Sequence, residues 1–411
     1  MPAIAVDLPD DLQAVREGLA AFAESEVIPR HEANRDLFEN PRILYDEDGR
    51  FSDRLLKLIT EVRTASADAG FYTMCVPEEL GGAGLGNLAY FVGWEQLYRQ
   101  CGPMNWLMLY VLNHWAFGPS RLFEKATVEA RERVLAPMMT GKSSMCFGLS
   151  EPGAGSDAAA LTTKAIRDGD GWLLSGRKIW TTNAPIADYC VVFAVTDQEL
   201  AREKRGGISA FIVPVDSPGF CVQRVICMLG SIGGDEAELA FDNVRVEPWQ
   251  LLGDLGRGFD AALYGVSLGR LYNSARAVGT GRWAIEQALD YARLRKAFGK
   301  SISEYQGVTF PLAESATELH AAHLMGRNVA MLLDQGNPAV KELSMTKAYS
   351  VQIGYKAVDR AMQTFGAMGF TNEVGLFHAW HALRIVHVAD GTNEILYRTI
   401  SQQMLKGDTD L

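Results

Sequence analysis

The sequence lacks several features that would assign it to a common functional class. Its six cysteines include no C-x-x-C pair, so we expect reduced, mostly buried thiols and neither a disulfide framework nor a metal site. No apolar run reaches the roughly 18 residues of a membrane-spanning helix. Residues 1–15 contain no cationic region and no long apolar core. We therefore expect no signal or transit peptide, no membrane span and a cytoplasmic protein.

Positive charge and complete nucleotide-binding motifs are also missing. The net charge of -11 argues against a general nucleic-acid surface. The segment "GAGLGN" near residue 82 lacks the last glycine of G-x-G-x-x-G, "GTGRW" near residue 279 is too short, and no G-K-[ST] occurs. A Rossmann or P-loop site is therefore unsupported. The 48% hydrophobic and 22% charged residues are ordinary for a globular chain of this length.

The spacing of apolar residues predicts three domains in an α+β fold. Residues 1–143 are predicted to be helical, with "LQAVREGLAAFAESEVI", "LAYFVGWEQLYRQCG" and "NWLMLYVLNHWAFG" as helices and a glycine-rich break at "VPEELGGAGLGN". Residues 144–250 contain short β-rich runs and a hairpin signal at 168–171, which predicts a β-barrel or sandwich. Residues 251–411 predict a C-terminal four-helix bundle, with Gly336 and Gly369 near helix C-termini.

The stretch "RIVHVADGTNEILYR" near the C-terminus contains a carboxylate in an apolar neighbourhood. Asp390 is followed directly by Gly391 and Thr392. One interpretation is a helix start, with Asp390 or Thr392 as the N-cap. The other is a catalytic base at a turn of the chain. These residues alone leave both interpretations open.

A second candidate segment, "CFGLSEPGAGSDAAAL", lies where helical periodicity gives way to strand periodicity. Ser150, Ser156 and the N–H groups of Gly153 and Gly155 could form a cradle for a ring edge or a phosphate. The segment could equally be an ordinary Pro-Gly loop capped by Ser156 and Asp157. The loop residues alone favour the ordinary loop.

Six motifs in a fixed order make the chain resemble the acyl-CoA dehydrogenases, which are FAD enzymes of helical–β–helical architecture. The resemblance covers nearly the whole chain. The motifs are "VPEELGGAGL" (76–85), "LSEPGAGSD" (149–157), "KIWTTNA" (178–184), "ARLRKAFGKSISEYQ" (292–306), "MQTFGAMGF" (362–370) and "VADGTNEI" (388–395).

The resemblance implies that residues of the middle domain bind FAD. Trp180 would flank the isoalloxazine and exclude water, Thr182 would bond near its N5, and Ser156 would also contact the thioester substrate. Taken alone, Trp180 could be a core residue, but its place in the motif favours the flavin. The implied residues are Phe147, Leu149, Ser150, Gly155, Ser156, Trp180, Thr181 and Thr182.

The resemblance also implies cofactor contacts from the C-terminal domain. Arg295 would reach the FAD pyrophosphate of a neighbouring subunit, since a planar guanidinium pairs two phosphate oxygens. This predicts a homo-oligomer, either a dimer or a tetramer. A solvated helix end is the alternative for Arg295 and Lys296. The implied residues are Arg295, Phe298, Gln306, Gln363, Gly366, Thr392 and Glu394.

Asp390 occupies the position at which most of the family carries the glutamate that takes the α-proton while a hydride passes to the flavin. Aspartate is shorter by about 1.5 Å, which can cost about 100-fold in rate if nothing compensates. The family's other base position maps to Gly269, so Asp390 is the only carboxylate at either position. Ala389 stands where straight-chain members often have tyrosine, which favours a branched, cyclic or bulky acyl group.

The resemblance further implies that Ser156, Ser267, Arg270 and Gly391 lie at the substrate, although Arg270 could be an ordinary helix-surface arginine. The backbone N–H of Asp390 would bond the thioester carbonyl, and ligand burial would raise the pKa of Asp390. The implied function is FAD-dependent dehydrogenation of an acyl-CoA with an electron-transfer flavoprotein as acceptor. The alternatives are a flavin oxidase of the same fold, acting on acyl-CoA or on nitroalkanes, and a non-catalytic acyl-CoA-binding scaffold.

Overall fold

A computed structural model of the chain describes residues 8–228 and 230–410. The chain forms two compact units. The first, which we call the helical unit, comprises the residues up to Pro29, Leu85–Met108 and the residues from Ser267 onward; the second, the sheet unit, comprises Arg30–Gly84 and Leu109–Val266. Neither unit is one continuous stretch, so the domain boundaries after residues 143 and 250 stay predictions. The expectation about a leader peptide concerns in part residues 1–7, which lie outside the described residues.

From residue 8 onward, eight α-helices precede the first strand. The predicted helix beginning at "LQAVREG" is confirmed, because Leu12, Leu19 and Phe22 are buried at helical spacing and a π-helical turn continues it through Ala23–Val27. The glycine-rich break is also confirmed between the fifth and sixth helices. The helices are α1 (Asp10–Phe22), α2 (Ile28–Ala33), α3 (Arg35–Glu39), α4 (Pro41–Leu44), α5 (Asp53–Asp68), α6 (Gly86–Cys101), α7 (Val128–Ala130) and α8 (Ala136–Met139).

The helix predicted over "NWLMLYVLNHWAFG" is wrong. Only a 3-10 turn at Trp106–Tyr110 forms, and the rest of the segment consists of turns. The side-chain amide of Asn113 donates to the Pro119 carbonyl (2.9 Å), and the backbone N–H of Ala116 donates to Nδ1 of His114 (3.2 Å). Such local bonds compete with helical ones, so a buried apolar run folds here without a helix.

One eight-stranded sheet forms the middle of the chain. The predicted hairpin is confirmed, with Asp168 opposite Gly171. The elements are β1 (Met145–Gly148), β2 (Lys164–Asp168), β3 (Gly171–Thr182), β4 (Tyr189–Val195), α9 (Gln198–Arg202), β5 (Ile208–Pro214), β6 (Phe220–Val225), β7 (Glu236–Val246) and β8 (Leu251–Leu252). The strand order is β6-β7-β3-β2-β4-β5-β8, with β1 parallel to β4.

Long helices return after the sheet, as predicted. Alanine side chains of the second half of the first long helix pack in one core with later helices. The elements are α10 (Gly258–Leu294), β9 (Lys296–Ala297), β10 (Lys300–Ser301), α11 (Gln306–Asp334), α12 (Val340–Phe365), α13 (Leu376–Val386) and α14 (Asn393–Leu405). None of the helices within residues 8–228 and 230–410 is long and apolar enough to cross a membrane.

Of the two glycines predicted to lie near helix C-termini, one follows a helix end as predicted and the other does not. Gly336, with φ 78°, follows the end of α11 as predicted. Gly369 does not end α12, because the chain leaves that helix at Gly366 with φ 62°, and Gly369 lies in the 3-10 turn Gly366–Phe370.

A buried ion pair joins the LSEPGAGSD loop to β3 in the sheet unit. Nζ of Lys178 lies 2.8 Å from Oε1 of Glu151, and both side chains are almost completely buried. The backbone N–H groups of Thr162 and Thr163 also donate to the Glu151 carboxylate. Burial alone would raise the pKa of Glu151, but Lys178 and these hydrogen bonds hold it at about 2.

Replacement of Lys178 by methionine should destabilise the protein strongly, because it leaves the Glu151 carboxylate buried without its counter-ion. The expected loss is about 3–5 kcal/mol in the free energy of unfolding at pH 7, measured by urea denaturation. Since the folded pKa of Glu151 lies below its ordinary value, the pair stabilises the wild type above about pH 4.5, and this contribution disappears as the pH falls toward 2.

The matched control is Arg205→Met, which removes the exposed pair between Arg205 and Glu203 (3.2 Å). It should change the unfolding free energy by less than about 1 kcal/mol. Equal, small effects of the two substitutions would contradict a structural role for the buried pair.

Candidate active site around Asp390

The turn between α13 and α14 places Asp390 in a strained backbone conformation. Asp390 has φ 52° and Gly391 has φ 99°. A left-handed conformation costs a non-glycine residue roughly 1–2 kcal/mol. Thr392 is the N-cap of α14, since its hydroxyl accepts from the N–H of Ile395 (3.4 Å). Of the two possible caps, Thr392 therefore serves, and the Asp390 side chain is not used as a cap.

Space as well as φ favours glycine at position 391. A Cβ on Gly391 would lie 3.3 Å from Nη2 of Arg270, which is a tight contact. Glycine therefore lets the Arg270 side chain lie close against the turn.

Two cations and one amide hold this turn. Nε of Arg270, on α10, donates to the main-chain carbonyl of Asp390 (3.2 Å). Nζ of Lys347, fully buried on α12, donates to the carbonyl of Gly391 (2.8 Å). Nδ2 of Asn273 donates to Oδ2 of Asp390 (2.7 Å). Arg270 thus contacts the turn and is not an ordinary surface arginine.

The environment makes Asp390 a stronger base than an ordinary aspartate. Burial raises the pKa of Asp390 to about 6, although Lys347, Arg270 and the Asn273 hydrogen bond act in the opposite direction. Burial also lowers the pKa of Lys347 to about 8. A carboxylate with such a pKa is still mostly ionised at neutral pH and suits general base catalysis.

The backbone N–H of Asp390 is available to a ligand. In the described part of the chain no acceptor takes this N–H. A free N–H beside a basic carboxylate can stabilise negative charge on a carbonyl oxygen while the carboxylate removes a neighbouring proton.

Trp180 lies at a bulge in β3 of the sheet unit. The register of β3 against β7 shifts between Lys178 and Thr181, and Trp180 has φ 58°. Its side chain is 55% exposed, so Trp180 is not a core residue. The hydroxyl of Thr181 is buried and has no hydrogen-bond partner within the described part of the chain, and Thr182 is half-buried.

The LSEPGAGSD loop is built around a tight turn. Glu151 and Ala154 exchange two backbone hydrogen bonds of 3.0 Å, and the Ser150 carbonyl accepts from the N–H of Ile179. The N–H groups of Gly155 and Ser156 have no acceptor among the residues that the structure describes. Gly155 and Ser156 are both exposed, so these N–H groups are free to bind an anion or a ring edge.

Phe147 and Leu149 mainly pack in the sheet unit. The Phe147 ring lies 5.0 Å from that of Trp115 and 4.9 Å from that of Phe193. The Leu149 carbonyl accepts from Nζ of Lys178 (3.2 Å). A cofactor-binding role for Phe147 and Leu149 stays a prediction.

A second group of predicted residues lies at the other end of α10. Phe298 is 97% exposed with φ 50°, on the hairpin of β9 and β10. Arg295 is also exposed, as is Gln306 at the start of α11. The remaining members of the group are Gln363 and Gly366, at the end of α12.

The two ends are far apart within one chain. About 24 residues of α10 separate Arg270 from Leu294, which corresponds to about 36 Å at the helical rise of 1.5 Å per residue. This distance is several times the reach of any side chain. The structure therefore brings Asp390, Gly391, Thr392 and Arg270 together and keeps Arg295 away from them.

Ser267 and Glu394 lie close to the Asp390 group in sequence and fold. Ser267 is half-buried one helical turn before Arg270, and Glu394 is exposed in the first turn of α14. Substrate binding by Ser267 and cofactor binding by Glu394 stay predictions.

Sequence reasoning missed Asn273 and Lys347. Both lie on apolar helix faces: Asn273 is 4% exposed between the buried residues Tyr272 and Ser274, and Lys347 is completely buried on α12. A lysine or an amide at a position predicted to be buried could have indicated these two residues, because such groups are buried only with partners.

Comparisons with known proteins agree with the fold. The models for the N-terminal, middle and C-terminal domains of acyl-CoA dehydrogenases match residues 9–142, 146–244 and 256–405. The mitochondrial short-chain specific acyl-CoA dehydrogenase of Bos taurus is 36% identical, over 98% of this chain and 92% of that protein.

Two further proteins have related names. A caffeyl-CoA reductase–Etf complex subunit of Acetobacterium woodii is 34% identical over 88% of this chain and 92% of its own length. The structure of a glutaryl-CoA dehydrogenase from Mycobacterium smegmatis in complex with FADH2 superposes with a TM-score of 0.82 at 25% identity, over 98% of this chain and 96% of that one.

The raised pKa of Asp390 predicts a pH-dependent gain in stability on replacing Asp390 by asparagine. The folded pKa of about 6 lies above the ordinary 3.8, so the wild type loses stability as the pH rises from about 4 through 6. The variant cannot ionise at this position. We therefore compare the free energy of unfolding of the variant with that of the wild type at each pH. This difference should favour the variant by about 1–3 kcal/mol more at pH 8 than at pH 4.

Urea denaturation of wild type and variant at pH 4 and pH 8 measures this difference. The titration of all other groups cancels, because it is common to both proteins. A difference that is the same at pH 4 and pH 8 would show that the carboxylate is not desolvated in the folded protein.

Proposed function

The chain belongs to the acyl-CoA dehydrogenase family, and we propose that it is an FAD-dependent enzyme that oxidises an acyl-CoA between the α and β carbons. In this proposal Asp390 takes the α-proton. The observation that carries it is the Asp390 carboxylate, held between α10 and α12 with its pKa raised to about 6. It stands where the family carries its base.

Proton removal needs stabilisation of the negative charge that develops on the thioester. The α-hydrogen of a thioester is weakly acidic, and it becomes removable when hydrogen bonds to the carbonyl oxygen strengthen as enolate character grows. The N–H of Asp390, which has no acceptor in the described residues, is the donor that this chain supplies. One residue thus contributes both the base and a hydrogen bond to the carbonyl.

Arg270 and Lys347 keep this pair of groups in place. Both donate to main-chain carbonyls of the turn, those of Asp390 and Gly391. Because neither bond uses the carboxylate, the turn is fixed while the Asp390 side chain stays free to accept a proton. Their positive charge also favours the ionised form of Asp390 at neutral pH.

The residues of the sheet unit fit an isoalloxazine ring. Trp180 presents an exposed indole at a bulge. Within residues 8–228 and 230–410, neither the buried Thr181 hydroxyl nor the N–H groups of Gly155 and Ser156 have a hydrogen-bond partner. We assign FAD to these residues, to Phe147, Leu149, Ser150 and Thr182, and to Thr392 and Glu394. When bound, FAD supplies the hydride acceptor for the β-carbon. The substrate contacts are assigned to Ser156, Ser267, Arg270 and Gly391.

Arg295 and its neighbours support a homo-oligomer in this proposal. Arg295 is too far from Asp390 along α10 to act at the same catalytic centre. The exposure of Arg295, Phe298, Gln306, Gln363 and Gly366 suits contact with the cofactor of another copy, in a dimer or tetramer. The name of the caffeyl-CoA reductase–Etf relative supports an electron-transfer flavoprotein as acceptor. A cytoplasmic location is part of the same proposal.

The substrate is proposed to be a branched, cyclic or otherwise bulky acyl-CoA. The aspartate is one methylene shorter than glutamate, and Ala389 beside it is small and exposed. Both features leave additional volume next to the α-carbon. The Bos taurus relative is named as specific for short chains. A straight-chain acyl-CoA is therefore the alternative substrate to be tested.

Anaerobic addition of acyl-CoA to the purified flavoprotein tests the base. The wild type should lose its flavin absorbance, whereas Asp390→Asn should retain FAD and slow bleaching by a factor of about 100–10,000, the usual contribution of a general base. Asp359→Asn is the control, because the Asp359 carboxylate accepts from the Trp380 indole and takes part in none of the contacts at Asp390 described above. If the flavin of Asp390→Asn bleaches at the wild-type rate, Asp390 is not the catalytic base.

Turnover in air and with a ferrocenium-type acceptor then separates the electron acceptors. Little oxygen consumption together with rapid reduction of the artificial acceptor is expected for a dehydrogenase. Equal turnover with oxygen alone would favour the oxidase of the same fold, and a colourless protein would favour the scaffold.

Ala389→Tyr should change the substrate preference. The wild type should have a higher kcat/KM for branched or cyclic acyl-CoAs than for straight-chain C4–C12 thioesters, and the tyrosine should reverse this order by about 10–200-fold, as for other changes of apolar pocket volume. A panel of steady-state assays measures the ratio for both proteins. Straight-chain thioesters as the best wild-type substrates would exclude the bulky-substrate proposal and leave the reaction itself untouched.

A further inference from the structure

Asn273 is a polar residue at a position of α10 that the fold would ordinarily fill with an apolar side chain. Its neighbours Leu271, Tyr272 and Ala275 are buried, and Asn273 itself is 4% exposed. It lies three residues after Arg270, so both side chains project from the same face of α10 toward the turn at Asp390. A buried amide is retained only where it has hydrogen-bonding partners.

The bond from Asn273 reaches the carboxylate itself. Nδ2 of Asn273 lies 2.7 Å from Oδ2 of Asp390, whereas Arg270 and Lys347 contact the turn through main-chain carbonyls. No described residue donates to Oδ1 of Asp390. The two carboxylate oxygens are therefore different: Oδ2 is anchored and Oδ1 is open.

A short carboxylate has a particular need for such an anchor. The Asp390 side chain is attached to a left-handed backbone, and it has two freely rotating bonds. A base must be held close to the proton that it removes, because displacement of the reacting atoms by about 1 Å can reduce the rate about 100-fold. One hydrogen bond to Oδ2 fixes the plane of the carboxylate and leaves Oδ1 in a single direction.

We propose that Asn273 is a positioning residue that anchors Oδ2 of Asp390 so that Oδ1 is the oxygen that takes the substrate proton. This inference rests on the proposed function of Asp390 as the base. The charged groups that face Asp390 are Arg270 from α10 and Lys347 from α12, and Lys347 also influences His387 at the end of α13.

Two variants with the same number of side-chain heavy atoms test the assignment. Asn273→Leu removes the donor, so kcat should fall at least about tenfold with little change in KM, and the acidic limb of the kcat profile should move upward by about one pH unit, the size of one hydrogen bond to a charged group. Asn273→Asp places a second carboxyl beside the first. The two carboxyls would share a proton, which moves the limb farther in the same direction.

The matched control is Asn87→Leu. Nδ2 of Asn87 donates to Oδ1 of Asp334 (2.8 Å) in the same helical unit, so this substitution removes an equivalent amide–carboxylate bond far from the turn in sequence. It should alter stability and leave the pH profile unchanged. An unshifted acidic limb in both Asn273 variants, or an equal shift in Asn87→Leu, would overturn the positioning role.

Infrared difference spectroscopy of the flavoprotein separates this inference from the proposed function. The carboxyl stretch that is absent in Asp390→Asn reports the titration of Asp390 in wild type and in Asn273→Leu without any turnover. A titration midpoint that is equal in the two proteins contradicts the anchor, whether or not the enzyme is active. If the midpoint is shifted but the flavin never bleaches with any acyl-CoA, the positioning role of Asn273 stands and the proposed dehydrogenase function is wrong.

Discussion

The candidate site depends on keeping one carboxylate between two long helices without pairing it directly to a cation. Arg270 and Lys347 approach Asp390 through the main-chain carbonyls of the turn, and among the described residues only the neutral amide of Asn273 bonds the carboxylate. A direct ion pair would lower the pKa of the carboxyl and weaken it as a base. With the cations on the main chain, the pKa of Asp390 stays at about 6 while the turn is held rigidly.

Backbone strain recurs at the residues that the family resemblance assigns to the flavin and the base. Trp180, Phe298 and Asp390 all have positive φ, between 50° and 58°, although none is glycine. Trp180 and Phe298 are also unusually exposed for large apolar side chains. Strained backbone and exposed aromatic rings are destabilising in an isolated chain, so their combination at Trp180 and Phe298 is consistent with residues retained for binding.

Much of the architecture could be predicted from the sequence because local periodicity determines it. The strands around Asp168 and the long helix α12 follow from apolar spacing and turn residues. The segment after Asn105 could not be predicted in this way, since its backbone is held by side-chain bonds of Asn113 and His114 that periodicity does not report. Burial alone does not distinguish such a segment from a helix.

The candidate site was predictable only in part for a related reason. Asp390, Gly391 and Arg270 were found through motifs, but the exposure of Trp180 depends on a bulge that the strand pattern conceals. Asn273 and Lys347 contact the turn across 117 and 44 residues of sequence. Contacts of this kind arise from the packing of α10, α12 and the turn, so no single segment of the sequence contains them.

The most direct measurement of the central claim is hydrogen exchange at the α-carbon of an acyl-CoA in heavy water, under anaerobic conditions and without an electron acceptor. If Asp390 is the base, the wild-type protein will introduce deuterium at the α-carbon, with a rate that rises through about pH 6 as the carboxyl ionises, and Asp390→Asn will not. Deuterium incorporation at an undiminished rate in the asparagine variant would contradict the account.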